Sequence, residues 1–128
     1  MALVAIVDDS RLARMFAAGA LRKAGHEVVE VEPDSLEMVM GTLRALKPML
    51  LVLDQQMPTF SGSSLVRACF EDDALASVKV LMLTAQRDEE LEHRMAKLGV
   101  HAVLHKPISP MDLNRAVAKL VEVPGSAS

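Results

Sequence analysis

Between residues 49 and 62 the chain reads MLLVLDQQMPTFSG, and no other stretch restricts its fold so tightly. Residues 49–53 are apolar without alternation. A strand of that kind must be covered on both faces, which requires a parallel sheet flanked by helices. Asp54 ends the run, and a polar loop bearing Pro58 and Gly62 follows, so a carboxylate stands at the mouth of a buried strand. In open parallel sheets, ligands gather outside the carboxyl ends of the strands. Asp is also an ordinary turn residue, and Asp54 alone reads equally well as a turn former or as a reactive group.

The pattern recurs along the chain. Residues 2–7 run apolar into Asp8, Asp9 and Ser10. From Arg11, the positions Ala13, Phe16, Ala17, Ala20, Leu21 and Ala24 recur at helical spacing, and Gly25 stands where a C-terminal cap belongs. A weaker strand covers residues 26–31, and Ser35 caps a second helix whose buried face is Leu36, Val39, Met40, Leu43 and Leu46. The spacing predicts a third helix over residues 63–70, with Leu65, Val66 and Cys69 inward. It ends in Glu71, Asp72 and Asp73, which read as solvated surface and not as a metal site. A strand over residues 78–83 closes on Thr84, Ala85 and Gln86, and the helix over 88–98 buries Leu91, Met95 and Leu98. The last strand, residues 101–104, leads into His105, Lys106 and Pro107. Ser109, Pro110 and Asp112 then open a helix with Leu113, Val117, Leu120 and Val121 on one face.

Strands alternating with helices imply an α/β domain, a doubly wound parallel sheet of five strands with five helices. Right-handed crossovers leave few strand orders, and 2-1-3-4-5 suits a chain of five strands. The domain is expected over residues 1–123, with a tail over 124–128. No apolar run approaches the ~20 residues of a membrane span, and no basic segment precedes the first strand. A soluble, cytoplasmic protein without membrane contact is expected. Cys69 has no second cysteine to pair with and reads as a small apolar residue. The net charge of -3, the absence of Trp and Tyr and the lack of a basic cluster argue against direct nucleic-acid binding.

In the order 2-1-3-4-5, strands one and three lie side by side, about 4.8 Å apart. Asp8, Asp9 and Asp54 then converge. Three carboxylates in one small volume repel unless a cation shares the site. All-oxygen donors select a hard ion, Mg²⁺ or Mn²⁺ in its place, over zinc. Thr84 and Lys106 end strands four and five on the same edge, adding a hydroxyl and an ammonium suited to a phosphoryl group.

With these residues in view, the sequence resembles the receiver domain of two-component response regulators, especially the single-domain chemotaxis type, whose fold is flavodoxin-like. The resemblance covers nearly the whole chain. Its motifs are the acidic pair in DDS, D-x-x-M-P-x-x-x-G from Asp54 through Met57, Pro58 and Gly62, T-A at Thr84 and Ala85, and K-P at Lys106 and Pro107. It implies that Asp54 accepts a phosphoryl group from a sensor histidine kinase or a histidine phosphotransfer protein. Asp9 would ligate Mg²⁺ directly and Asp8 largely through water, with Asp54 and the Gln56 backbone carbonyl as further ligands. Lys106 would reach the phosphoryl oxygens and Thr84 would move to bond them. Ala85 would leave the group accessible, Gln56 and Gln86 would tune the phosphate lifetime, and a cis Lys106–Pro107 bond would orient the lysine. Such a chain promotes only its own phosphorylation and dephosphorylation, and it switches affinity for a downstream protein.

One position departs from the family pattern. Three residues before the lysine the family carries Tyr or Phe, whereas this chain has Val103, with no ring to swing and little rotamer freedom. Phosphorylation is expected to be intact with an altered readout. Two alternatives stay open, a phosphorylation-independent interaction module and a phosphoryl shuttle or sink without conformational output. A haloacid dehalogenase-type phosphatase would need a second Asp at position 56, where Gln56 stands. Phe60 reads as a loop anchor or a lid over the site, and Met15 as core filler or partner surface.

Overall fold

A strand that is apolar at every position has two faces to bury, and this chain supplies a layer of helices for each. The fold was obtained as a computed structural model, which describes residues 2–121. The elements run β1 (Leu3–Val7), α1 (Arg11–Lys23), β2 (Glu27–Val31), α2 (Leu36–Leu46), β3 (Leu50–Asp54), α3 (Gly62–Phe70), β4 (Lys79–Thr84), α4 (Glu89–Leu98), β5 (Ala102–His105) and α5 (Pro110–Val121). The sheet is parallel throughout, in the order β2-β1-β3-β4-β5. The expected domain end at residue 123 and the tail over 124–128 lie outside the described residues.

Alternate residues of each central strand feed two separate cores. Ala5, Val7, Leu51, Leu53, Val80 and Met82 pack under α2, α3 and α4. Val4, Ile6, Leu50, Val52, Leu81 and Leu83 pack under α1 and α5. Val103 is half-buried against the first core and pairs with Met82 in register. Phe60 and Met57 pack on the same core, so Phe60 anchors its loop. Cys69 is fully buried beside the Met40 sulfur, and burial, with Asp72 adding, pushes its thiol up to about 12.

Serines cap the helices as their positions suggest. Ser10, Ser35 and Ser61 each accept the backbone N–H three residues on, and Asp88 caps α4. Gly25 and Gly99 follow α1 and α4 at φ 96° and 110°, a region closed to most L-residues. Asp72, in the turn after α3, forms a 2.6 Å ion pair with Arg44 of α2.

The α1 face is turned relative to its apolar spacing. Phe16, expected inward, is 53 % exposed, and Ala24 is exposed, whereas Arg14 is buried with Ala17, Ala18 and Leu21. Arg14 donates to the Asp8 carbonyl just after β1 and faces Glu30 of β2. These contacts lie outside what a periodicity along one helix can register.

Candidate functional site

The carboxyl ends of β1, β3, β4 and β5 form one rim, and the charged residues sit on it. Val7 pairs with Leu53, which brings the acids after β1 beside Asp54. Carboxylate oxygens of Asp8, Asp9 and Asp54 all lie within 4.8 Å of one another. Asp8 is buried, Asp54 is half-buried and Asp9 faces solvent. Such a set, all oxygen and open on one side, fits a hard divalent ion that keeps part of its water shell.

Lys106 reaches across this group. Its Nζ donates to Asp8 Oδ2 and to Asp54 Oδ2, both at 3.2 Å. Burial alone would lower the ammonium, but the Asp8 and Asp54 carboxylates outweigh it and hold the group above the usual lysine range. The Lys106 backbone N–H donates to the Thr84 carbonyl at 2.8 Å, fixing the end of β5 to the end of β4. The Lys106–Pro107 bond is cis.

Thr84 ends β4 fully buried, one residue beyond the partner of Asp54. Its hydroxyl accepts the Gln86 N–H at 3.1 Å. The threonine is therefore on the rim but bonded to its own loop. Ala85, Gln56 and Gln86 are exposed. Gln56 and Gln86 line an open cleft with Asp9, and the Gln56 N–H donates to Asp54 Oδ1 at 3.3 Å. Val103 lies back from the rim, half-buried against the first core. Two residues closer, His105 pairs with Thr84 in register, and its Nε2 is 3.6 Å from Glu92 of α4.

Several supporting residues escape a reading by motif. The Ser10 N–H donates to Asp8 Oδ1 at 2.9 Å, and Arg14 Nη1 donates to the Asp8 carbonyl. The Gln55 side chain accepts the Ser63 N–H at 2.9 Å, pinning the loop after Asp54 to the start of α3. Ser10 directly after the acidic pair signals a helix cap, but Arg14 and Gln55 give no local signal. On the other side of the lysine an apolar groove of about 660 Å³ opens between α1 and α5. Asp8 and Lys106 lie in its lining, with Leu12 and Phe16 at its rim.

Compared with known protein families, residues 4–118 match the response regulator receiver domain. The chain is 32% identical over 120 residues to the phosphate regulon transcriptional regulatory protein PhoB of Pseudomonas aeruginosa, covering 94% of this chain and 50% of that protein. It is 32% identical over 119 residues to hybrid signal transduction histidine kinase D of Dictyostelium discoideum, covering 93% of this chain and 8% of that protein. The chain thus spans half or less of the length of these relatives. Among solved structures, the chemotaxis response regulator CheY4 of Vibrio cholerae superposes with a TM-score of 0.86 at 25% identity, covering 94% of this chain and 99% of that one.

Proposed function

The chain belongs to the response regulator receiver domain family, and from that premise we propose that it is a phosphorylation switch with Asp54 as phosphoacceptor. The observation that carries this reading is the lysine bridge: Lys106 Nζ lies 3.2 Å from a carboxylate oxygen of both Asp8 and Asp54. The site therefore holds one ammonium against three convergent carboxylates. That leaves an excess of negative charge which a divalent cation would neutralise.

The phosphoryl donor is a phosphohistidine on a sensor kinase or a histidine phosphotransfer protein. An Asp54 carboxylate oxygen attacks phosphorus, the P–N bond breaks as the P–O bond forms, and the histidine nitrogen leaves with the electron pair. Lys106 exchanges a carboxylate oxygen for a phosphoryl oxygen, and the Thr84 hydroxyl leaves the Gln86 N–H to donate to another. Asp9, Asp8 through water, Asp54 and the Gln56 carbonyl would hold Mg²⁺ or Mn²⁺. When bound, the ion offsets the charge on the phosphoryl oxygens. Water later attacks phosphorus and returns the carboxylate, with Gln56 and Gln86 beside its path and Ala85 too small to block it. The apolar groove that shares Asp8 and Lys106 with the site offers the donor protein a surface. Among the described residues no helix is long and apolar enough to cross a membrane. We assign the chain to the cytoplasm, where ATP charges such kinases.

Acetyl phosphate with Mg²⁺ should give an acid-stable, base-labile label on Asp54. Labelling that persists in Asp54→Asn, or in EDTA, would contradict the reading. One observation favours a second reading: Val103 packs half-buried against the core with no aromatic ring to relay a change at Thr84. A domain that labels but binds its partners equally with and without phosphate would be a constitutive interaction module. Rapid return of the group to a histidine would mark a shuttle or sink.

A further inference from the structure

The arginine buried on α1 has no part in the chemistry above. Arg14 is 7 % exposed, and its Nε is buried without a hydrogen-bond partner. The carboxylate it faces, Glu30 of β2, lies 4.0 Å from that Nε, too far for a hydrogen bond. Glu30 is also shared with Arg22, at 3.6 Å. An arginine held for an ion pair alone would meet its carboxylate in a bidentate fork. Arg14 instead directs Nη1 to the backbone oxygen of Asp8.

That oxygen belongs to the peptide unit joining Asp8 to Asp9, so the group held by Arg14 lies between two of the three convergent carboxylates. Asp8 is thereby fixed at three points: its carbonyl by Arg14, Oδ1 by the Ser10 N–H and Oδ2 by Lys106. Asp9 faces solvent. Its direction is set mainly by the backbone that carries it, and Arg14 holds that backbone.

We propose that Arg14 is a positioning residue for the divalent cation, clamping the Asp8–Asp9 peptide so that both carboxylates face the site. Glu30 of β2 only faces the clamp from behind, 4.0 Å from the Arg14 Nε. The inference rests on the receiver reading above. Residues that orient metal ligands from behind typically contribute about 10- to 100-fold to metal affinity.

Mg²⁺ binding measured by titration calorimetry, without any phosphodonor, tests the clamp directly. Arg14→Met should weaken Mg²⁺ about tenfold or more, and Arg14→Lys, which keeps one donor, should recover part of the loss. Arg22→Met removes the other partner of Glu30 without touching Asp8 and should keep the wild-type affinity. In acetyl phosphate labelling, the half-saturating Mg²⁺ concentration should rise in Arg14→Met while the rate at saturating Mg²⁺ falls less than about threefold. Should Arg14→Met fail to fold, Arg14→Gln decides the matter. Wild-type affinity in folded Arg14→Met or Arg14→Gln, or an equal loss in Arg22→Met, overturns the clamp and leaves the receiver reading standing. A wild-type chain that binds no divalent ion overturns both.

Discussion

A Cβ placed on residue 62 would lie 2.5 Å from the Asp54 backbone oxygen and 2.9 Å from the Gln55 Cα. Neither atom is the free end of a side chain, so the loop after Asp54 cannot relax without moving the carboxylate. Two effects oppose each other in Gly62→Ala. Helix propensity favours alanine by roughly 1 kcal/mol, while forcing an atom into a filled space costs about 1–3 kcal/mol or more. Because the obstacle is backbone, the clash dominates. Gly62→Ala should lower the urea midpoint by the equivalent of about 2 kcal/mol and reduce Asp54 labelling as well. Gly19→Ala is the contrast, since nothing lies within 4 Å of a Cβ there and the same exchange should stabilise α1 by roughly 0.5–1 kcal/mol. Equal effects of the two substitutions on the urea midpoint would show that close packing at Gly62 is unimportant. The D-x-x-M-P-x-x-x-G spacing made Gly62 visible in the sequence. Its reason, contact with the residue it helps to position, is a fact of three dimensions.

At the scale of elements, strands and helices are legible because each declares its own period. Unbroken apolar runs specify strands covered twice, and serines, Gly25 and Gly99 mark helix ends, so the element order follows from local chemistry. What a single element cannot declare is its orientation about its own axis. The spacing of α1 nominated Phe16 and Ala24, but the buried face carries Arg14, Ala17, Ala18 and Leu21. A buried cation is acceptable there because the Asp8 carbonyl, just past β1, accepts from it and Glu30 of β2 faces it. The β4–β5 edge offers a similar case. His101 Nδ1 accepts the Val80 N–H at 3.0 Å while the His101 backbone N–H donates to the Val80 carbonyl at 2.9 Å, so an imidazole stands in for a strand acceptor. Burial and the nearby Lys79 hold His101 below the usual histidine range, and burial does the same for His26. For such a group the unfolded chain binds the proton more readily than the folded one. Its contribution to stability is full above the unfolded value of about 6.5 and is lost as pH falls through the lower folded value. The urea midpoint should fall between pH 7.5 and pH 5. His101→Asn, which keeps an acceptor but does not titrate, should flatten that slope, and an unchanged slope would show that the edge is insensitive to the proton.

At the scale of the whole molecule, the described residues gather more carboxylates than ammonium groups at one sheet edge. Five parallel strands bring the ends of β1 and β3 together, and three carboxylates meet within 4.8 Å against the single ammonium of Lys106. Asp8 is buried, so water screens it poorly, whereas Asp9 is exposed and is screened well. Without a divalent ion, Asp9→Asn removes one of the repelling charges and should raise thermal stability, by on the order of 1 kcal/mol or less after discounting for Asp9's exposure. With the ion present the sign reverses. A ligand held only by the folded state stabilises it by about 2.7 kcal/mol at a hundred times its dissociation constant, equivalent to roughly 10 °C in Tm for a domain of this size. The wild-type Tm should therefore climb with Mg²⁺, and Asp9→Asn, lacking the most accessible ligand, should climb little. The two melting curves should cross as Mg²⁺ is titrated from EDTA upward. Parallel curves would mean that Asp9 neither repels nor binds, and the charge balance at the sheet edge would have to be met by groups other than these.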